Sequence, residues 1–274
     1  MDARANAPLI PASIYDCPVV ESRPLGSYRL LSFVAREIAA LARPGQFLMV
    51  RTAGPSFDPL LPRPLGVHEI DSDLVKVLIE PVGRGTISLA GLKVGDRVSV
   101  LGPLGNGFDL SGTGPAVVVG GGIGAAPLAF LARALTERER EMRCLLGFAS
   151  RGQAVAAELF RGMDVEVFTE DGSMGKQGLI SDPLPGCLAE FGAKPGGSES
   201  GDSVAAEVFA CGPDPMLAAV ARVARECGAT AQLSMDAHMA CGVGACQGCV
   251  IQTVSGYRRV CSDGPVFPAE ELGW

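Results

Sequence analysis

Near the end of the 274-residue chain, the run Cys241-Gly-Val-Gly-Ala-Cys246-Gln-Gly-Cys249 is followed, after eleven residues, by Cys261. Four of the nine cysteines fall within 21 residues, with Gly242, Gly244 and Gly248 among them. Glycine permits positive φ and close backbone approach, so such a loop can turn thiolates and backbone N–H groups toward one point. Three arrangements compete for gathered thiols: an iron–sulfur cluster, zinc, or two disulfides. C-x4-C-x2-C with a more distant fourth cysteine is the plant-type [2Fe–2S] spacing. Structural zinc usually takes two short-spaced pairs, and here the second pair is missing. The N-terminus has no basic region followed by an apolar core, so no export signal is expected, which argues against a disulfide framework. The spacing favours the cluster, and the short final interval suggests a small appendage on a larger protein.

Other stretches carry further candidate chemistry. Gly120-Gly-Gly-Ile-Gly124-Ala-Ala-Pro127 follows an apolar run and precedes a helical one. Glycines there let the backbone approach a pyrophosphate, and a helix N-terminus favours its charge. The pattern is not G-x-G-x-x-G, and a tight turn without ligand is the alternative reading. Its candidate contacts are Gly121, Gly122, Gly124 and Pro127. Cys211-Gly212-Pro213-Asp214-Pro215-Met216 ends another strand, and ligands of open α/β sheets bind at strand carboxyl ends. Cys211, Gly212 and Pro213 are therefore expected to face the same crevice. Thr169-Glu170-Asp171-Gly172-Ser173 ends a third strand. Carboxylates such as Asp171 repel a ribose 2′-phosphate and accept from a free 2′-hydroxyl, which favours NAD over NADP. Arg63-Pro64-Leu65-Gly66 and Gly83-Arg84-Gly85-Thr86 supply an arginine and a glycine–threonine helix start, which together can grip a diphosphate. The two histidines, His68 and His238, are read as structural.

Elements must position these groups. Residues 1–110 read as β, with apolar runs at Tyr28–Val34, Gln46–Arg51, Leu74–Glu80 and Arg97–Leu101 separated by turns such as Pro44-Gly45, Gly54-Pro55 and Gly95-Asp96. Such spacing predicts a small antiparallel barrel, with Arg63–Gly66 between strands and a short helix at Gly85–Gly91. Residues 111–228 alternate strands (Ala116–Val119, Cys144–Ala149, Val165–Thr169, Val208–Cys211) with helices from Ala125 to about Arg140 and over Met216–Cys227, capped by Asp214. That alternation predicts a parallel α/β sheet. Residues 192–203 read as a surface insertion. Residues 229–274 hold the cysteines; strands Val250–Val254 and Tyr257–Val260 around a Ser255-Gly256 turn would return Cys261 to Cys249. Phe267-Pro-Ala269 and Trp274 are expected to pack this part down.

Composition bounds the function. Hydrophobic residues make up 47%, enough for real cores, and 36 glycines with 20 prolines imply many tight turns. A net charge of −7 disfavours nucleic acid and anionic membrane as partners. Leu110–Ala132 is uncharged and long enough to span a bilayer. Broken by Pro115, Gly120, Gly121, Gly122, Gly124 and Pro127, it reads as strand, loop and helix, and the expected location is cytoplasmic.

Barrel, Arg-Pro-Leu, G-x-G-T, G-G-G-I-G-x-A-P and C-G-P-x-P-M follow one another in the order seen in the ferredoxin–NADP⁺ reductase superfamily, which the chain resembles. Met239-Ala-Cys-Gly-Val-Gly-Ala-Cys-Gln-Gly-Cys249, Val260-Cys-Ser-Asp-Gly-Pro-Val-Phe267 and Leu101-Gly-Pro-Leu-Gly-Asn-Gly-Phe108 narrow the resemblance to the electron-transfer subunits of NAD-dependent, type 1B dihydroorotate dehydrogenases. The resemblance implies FAD on the barrel, NAD on the middle domain and a [2Fe–2S] cluster on the tail. Arg63, Pro64, Leu65 and Gly66 fall on the flavin motif, Leu78, Ile79 and Glu80 on the strand beside it, and Gly85 and Thr86 on the flavin diphosphate. Cys241, Cys246, Cys249 and Cys261 fall on the cluster ligands. Two departures stand out: Gly66 replaces a serine or threonine, and Glu80 is unusual for a strand facing a flavin. The resemblance further implies a partner subunit that holds FMN and oxidises dihydroorotate in pyrimidine biosynthesis, in a two-plus-two heterotetramer. Electrons would run from FMN through the cluster and FAD to NAD⁺, with no catalytic acid or base from this chain. The competing readings are a flavin and iron–sulfur subunit of a sulfide dehydrogenase or of an NADH-dependent ferredoxin:NADP⁺ oxidoreductase, a redox-sensing module without turnover, and a zinc-stabilised structural protein.

Overall fold

The structure, a computed structural model, describes residues 13–54, 58–192 and 205–274. Six strands close an antiparallel barrel: β1 (Ser13–Leu25), β2 (Tyr28–Val34), β3 (Phe47–Thr52), β4 (Arg63–Asp71), β5 (Leu74–Ile79) and β6 (Arg97–Leu104), in the order β1-β2-β5-β4-β3-β6. Two short helices, α1 (Arg36–Leu41) and α2 (Arg84–Ala90), flank it. The period of two sorts the side chains of each strand between its two faces. On β5, Val75, Val77 and Ile79 fill the barrel core, while Leu78 joins a second core shared with the rest of the chain.

The middle of the chain is a parallel sheet with helices. Its strands are β7 (Ala116–Gly121), β8 (Met142–Phe148), β9 (Val165–Thr169), β10 (Lys176–Gln177), β11 (Glu207–Cys211) and β12 (Thr230–Ser234). The helices are α3 (Ala125–Thr136), α4 (Arg151–Ala154), α5 (Leu184–Glu190) and α6 (Asp214–Glu226). Helix α3 presents Ala125, Ala126, Ala129 and Ala132, all buried, and these small side chains let it lie between sheet and barrel. Arg133 then donates to the His68 carbonyl of β4 across 3.1 Å. The uncharged segment Leu110–Ala132 is thus strand, tight turn and helix, and among the described residues no helix is long and apolar enough to cross a membrane.

The C-terminal segment adds the hairpin β13 (Val250–Thr253) and β14 (Gly256–Arg259), then β15 (Val266–Pro268) and α7 (Ala269–Leu272). Strand β15 pairs antiparallel with β12, which gives a seven-stranded sheet of order β10-β9-β8-β7-β11-β12-β15. Phe267 is fully buried there, and Trp274 packs on the same core.

Several expectations shift. Arg63–Gly66 begins β4 instead of lying between strands, because Arg63, Pro64, Leu65 and Gly66 pair with Val50, Met49, Leu48 and Phe47 of β3. Strands β1 and β4 and helix α1 carried no expectation. The helix after the glycine loop stops at Thr136, and Glu139 beyond it takes a left-handed φ of 54° in the charged run Glu137–Arg140. Asp214 is inside the first turn of α6, with Pro213 at the cap. The hairpin turns on Val254-Ser255, since Gly256 already pairs with Thr253. The predicted surface insertion at 192–203 lies, beyond Gly192, outside the described residues, as do the N-terminal residues read for an export signal and Pro55 of one turn.

His68 is fully buried, neither ring nitrogen has a hydrogen-bond partner, and burial pushes its pKa down to about 4. The folded chain therefore refuses a proton that the unfolded chain accepts near pH 6.5. Stability from this site is full above that value and is lost as the pH falls toward 4. Between pH 7 and pH 5 the loss is about 2 kcal/mol, and a His68→Leu chain should lack that component. Urea unfolding of both proteins at the two pH values measures it; identical pH dependence would contradict the assignment.

Candidate functional site

One cleft of about 860 Å³ opens where barrel, sheet and C-terminal segment meet. From the barrel it takes Pro64, Leu65 and Gly66 of β4 with Leu78 and Glu80 at the end of β5. From the sheet it takes Gly121, Gly122 and Gly124, then Pro127, and Cys211, Gly212 and Pro213. Twelve predicted residues thus share one wall system, and the two glycine turns face one crevice, as the carboxyl ends of parallel strands dictate.

The glycines divide the work. Gly122 has φ +54° and open space where a Cβ would stand, so its backbone is accessible to a ligand. Gly124 instead lies where a Cβ would come within 2.7 Å of the Cys211 carbonyl, so its role is close packing of the two turns. At Gly66 a Cβ would meet the Pro127 ring at 2.9 Å. In this chain Pro127 fills the space that a side chain at position 66 would need.

Five predicted residues lie outside the cleft lining. Ile79 points into the barrel core. Arg63 stacks its guanidinium against Gly85, which brings that pair together, and its Nη1 donates to the Leu61 carbonyl at 2.7 Å. The Thr86 hydroxyl accepts the Gly83 N–H at 3.0 Å and so caps its own helix. Asp171 is exposed, and hydrogen bonds from the Ser173 hydroxyl and N–H hold its carboxyl below the usual range. Its neighbour Glu170 lines the cleft in its place.

Electrostatically the cleft is one-sided. Glu80, Glu170, Asp214 and Asp236 line it, with His238, and among the described residues no lysine or arginine does. Phosphates bound here would rely on backbone N–H groups, and an extra 2′-phosphate would meet carboxylates. Glu80 accepts from Gln153 at 3.1 Å, which joins barrel to α4. Sequence reasoning missed Gln153 and the whole stretch Ser234–Met239, which crosses the cleft after β12. The alternation Ser234-x-Asp236-x-His238 was the available signal for the second. His238, expected to be structural, faces the cleft.

Beyond that stretch the cysteine loop rests on the barrel, where a Cβ on Gly242 would meet Met49 of β3 at 2.5 Å. Asn106 donates its N–H to the Gly264 carbonyl at 2.6 Å and its Nδ2 to the Asp263 carbonyl at 3.0 Å. Two of the motifs that carried the resemblance therefore dock on each other. The Cys249 carbonyl accepts from Val260 N–H at 3.0 Å, so the hairpin returns Cys261 as expected. Backbone N–H groups point at the sulfurs: Gly244 to Cys261 at 3.1 Å, Cys246 to Cys241 at 3.4 Å, and Cys261 to Cys249 at 3.4 Å. Burial disfavours the Cys241 thiolate, yet N–H groups of Val243 and Cys246 outweigh it and hold its pKa at about 6. Burial and the neighbouring Cys249 push Cys261 up to about 12.

Cys241 interacts most closely with the thiol of Cys246, and Cys261 with that of Cys249, while Cys241 and Cys261 also act on each other. Among the described residues no three ligating side chains gather around one point. A single tetrahedral zinc needs four ligands at one centre, whereas a two-iron cluster takes its four thiolates as two per iron, so the donor set fits [2Fe–2S]. The inner pair is buried, Cys241 is half-buried and Cys246 is exposed.

Residues 236–273 match the iron–sulfur cluster binding domain of dihydroorotate dehydrogenase B. The electron transfer subunit of dihydroorotate dehydrogenase B (NAD(+)) from Bacillus caldolyticus is 39% identical over 251 residues, 88% of this chain and 91% of that one. Its counterpart from Caldanaerobacter subterraneus subsp. tengcongensis is 36% identical over 234 residues, 84% and 86% of the two chains. Among solved structures, an NADH-dependent reduced ferredoxin-NADP oxidoreductase superposes with a TM-score of 0.80 at 26% identity, over 94% of this chain and 90% of that one. A Neisseria gonorrhoeae ferredoxin NADP⁺ reductase with bound FAD and NADP shares the fold, with a TM-score of 0.62 at 13% identity over 79% and 92%.

The crowding at Gly66 is testable. Gly66→Ser should cost about 1–3 kcal/mol by overpacking against Pro127, and Pro127→Ala in the same chain should recover most of that loss. Chemical denaturation of Gly66→Ser, Pro127→Ala and the double variant measures the coupling; strictly additive effects would contradict it.

Proposed function

The chain belongs to the family of electron transfer subunits of NAD(+)-dependent dihydroorotate dehydrogenase B, and from that membership we propose how its own residues serve the transfer. Cys241, Cys246, Cys249 and Cys261 hold a [2Fe–2S] cluster, the cleft beside β4 and β5 holds FAD, and NAD enters over the glycine turns after β7 and β11. The single observation that carries this reading is spatial: the paired thiols hang on the segment Ser234–Met239 that forms one wall of the cleft. When bound, a flavin exchanges single electrons with a cluster and electron pairs, as hydride, with a pyridine nucleotide.

The chain's own residues do the positioning. Leu65, Leu78 and Pro127 offer an apolar bed, and the Gly122 backbone lies open to a phosphate. Arg63 and Gly85, outside the cleft lining, fit the flavin diphosphate. Glu170, more than Asp171, is placed to accept from a ribose hydroxyl, which supports NAD over NADP. The domain limits that suit these assignments are a barrel to about residue 110, a nucleotide domain through β12, and a cluster domain from 236, where the family match begins.

An electron transfer subunit works with a catalytic partner. We assign the partner FMN and dihydroorotate oxidation, in a two-plus-two heterotetramer in the cytoplasm, contributing to pyrimidine biosynthesis. The docking face is the outer side of the cysteine loop, where Cys246, Val243, Val250, Val254 and Tyr257 are exposed. The high identity to dihydroorotate dehydrogenase subunits favours this over a sulfide dehydrogenase or a ferredoxin-linked enzyme.

Cys249→Ala removes a buried inner ligand. It should abolish electron exchange with the catalytic subunit and leave NADH oxidation by an artificial flavin-level acceptor within about twofold of wild type. Equal loss of both activities, with flavin content unchanged, would overturn the order of carriers.

A further inference from the structure

Electrons that arrive through an iron–sulfur cluster bring no protons, but each hydride leaving for NAD⁺ carries one. One proton per NADH must therefore enter the flavin cleft from this chain or from water. We propose that Asp236 is the group that exchanges this proton. The inference rests on the flavin occupying the cleft as assigned above. In the step, two electrons and the Asp236 proton reduce the flavin, the proton departs with both electrons as hydride to NAD⁺, and the carboxylate recovers a proton from solvent. The reverse direction uses the carboxylate as the acceptor.

The geometry selects Asp236 from the groups that line the cleft. It stands in the middle of the extended wall Ser234–Met239, facing the same space as Gly66, Gly122 and Cys211. Its side chain is exposed to the cleft. Asp214 from the start of α6, His238 from its own segment and Cys211 from the end of β11 line the same cleft and interact with it electrostatically. Burial raises its pKa most and Asp214 adds to this, against the lowering effects of the Ala237 N–H and His238. The other candidates are worse placed. Glu80 is engaged by Gln153 on the α4 side, and Glu170 lies at the end of β9. Burial pushes the Cys211 thiol up to about 12, so it keeps its proton.

The test uses the intact complex with the catalytic subunit and the variant Asp236→Asn. Reduction of the flavin by dihydroorotate, followed by stopped-flow absorbance, should slow at least about tenfold, and Asp236→Glu should restore most of the rate. Bleaching of the same flavin by NADH, which brings its own hydrogen, should be slowed at least about fivefold less than reduction by dihydroorotate. The reduced-minus-oxidised infrared difference spectrum should lose a protonated-carboxyl C=O band in Asp236→Asn. Equal slowing of both half-reactions, or no slowing of either, would overturn the proposal. If NADH fails to bleach the wild-type flavin, the functional assignment itself fails instead.

Discussion

The antiparallel pairing of β15 with β12 is the constraint on which the site depends. The chain leaves the sheet at the carboxyl end of β12, where parallel-sheet ligands bind, and must return along the same edge. Everything between Met235 and Pro265 is therefore a closed excursion tied at both ends, with the Met235 N–H donating to the Pro265 carbonyl at 2.9 Å. The first residues of that excursion become a wall of the cleft, and the next become the cysteine loop. Buried Phe267 anchors the return, and Asn106 and Met49 hold the loop against the barrel. The proposed redox centre lies beside the proposed nucleotide cleft because of one strand pairing and two docking contacts.

A second constraint is electrostatic. A cleft lined, among the described residues, by four carboxylates and no lysine or arginine is an unusual place for phosphates. It works if backbone N–H groups carry that recognition and the acidic side chains are left for hydroxyls and protons. The cysteine loop follows the same logic, because N–H groups aimed at sulfur stabilise thiolates without adding a competing cation. Arg259, at the end of the hairpin, is paired with Asp263 at 3.1 Å, and its Nη1 donates to the Gly244 carbonyl at 3.4 Å, so it also braces the loop backbone.

Much of this was legible in the sequence where local chemistry decides the outcome. The cysteine spacing, the glycine turns at strand ends and the hairpin that returns Cys261 are short-range features, and the hairpin forms with its turn one residue earlier than expected. Strand β4 was not legible, because Arg-Pro reads as a turn until its pairing with β3 is known. Asp171 and Glu170 could not be told apart, since which of two adjacent carboxylates faces a cleft depends on the hydrogen bonds of Ser173. The place of Ser234–Met239 in the cleft was not read, although its alternation was a signal, because only the long-range β12–β15 pairing draws it there. Gly66 was noticed as a departure, but its neighbour Pro127 lies 61 positions away in sequence.

The central claim is that the four cysteines hold a two-iron cluster as two pairs. The direct measurement is iron, zinc and acid-labile sulfide on anaerobically purified protein. The account predicts about two irons and two sulfides per chain, lost together when the inner pair is mutated. About one zinc per chain with no labile sulfide would contradict it.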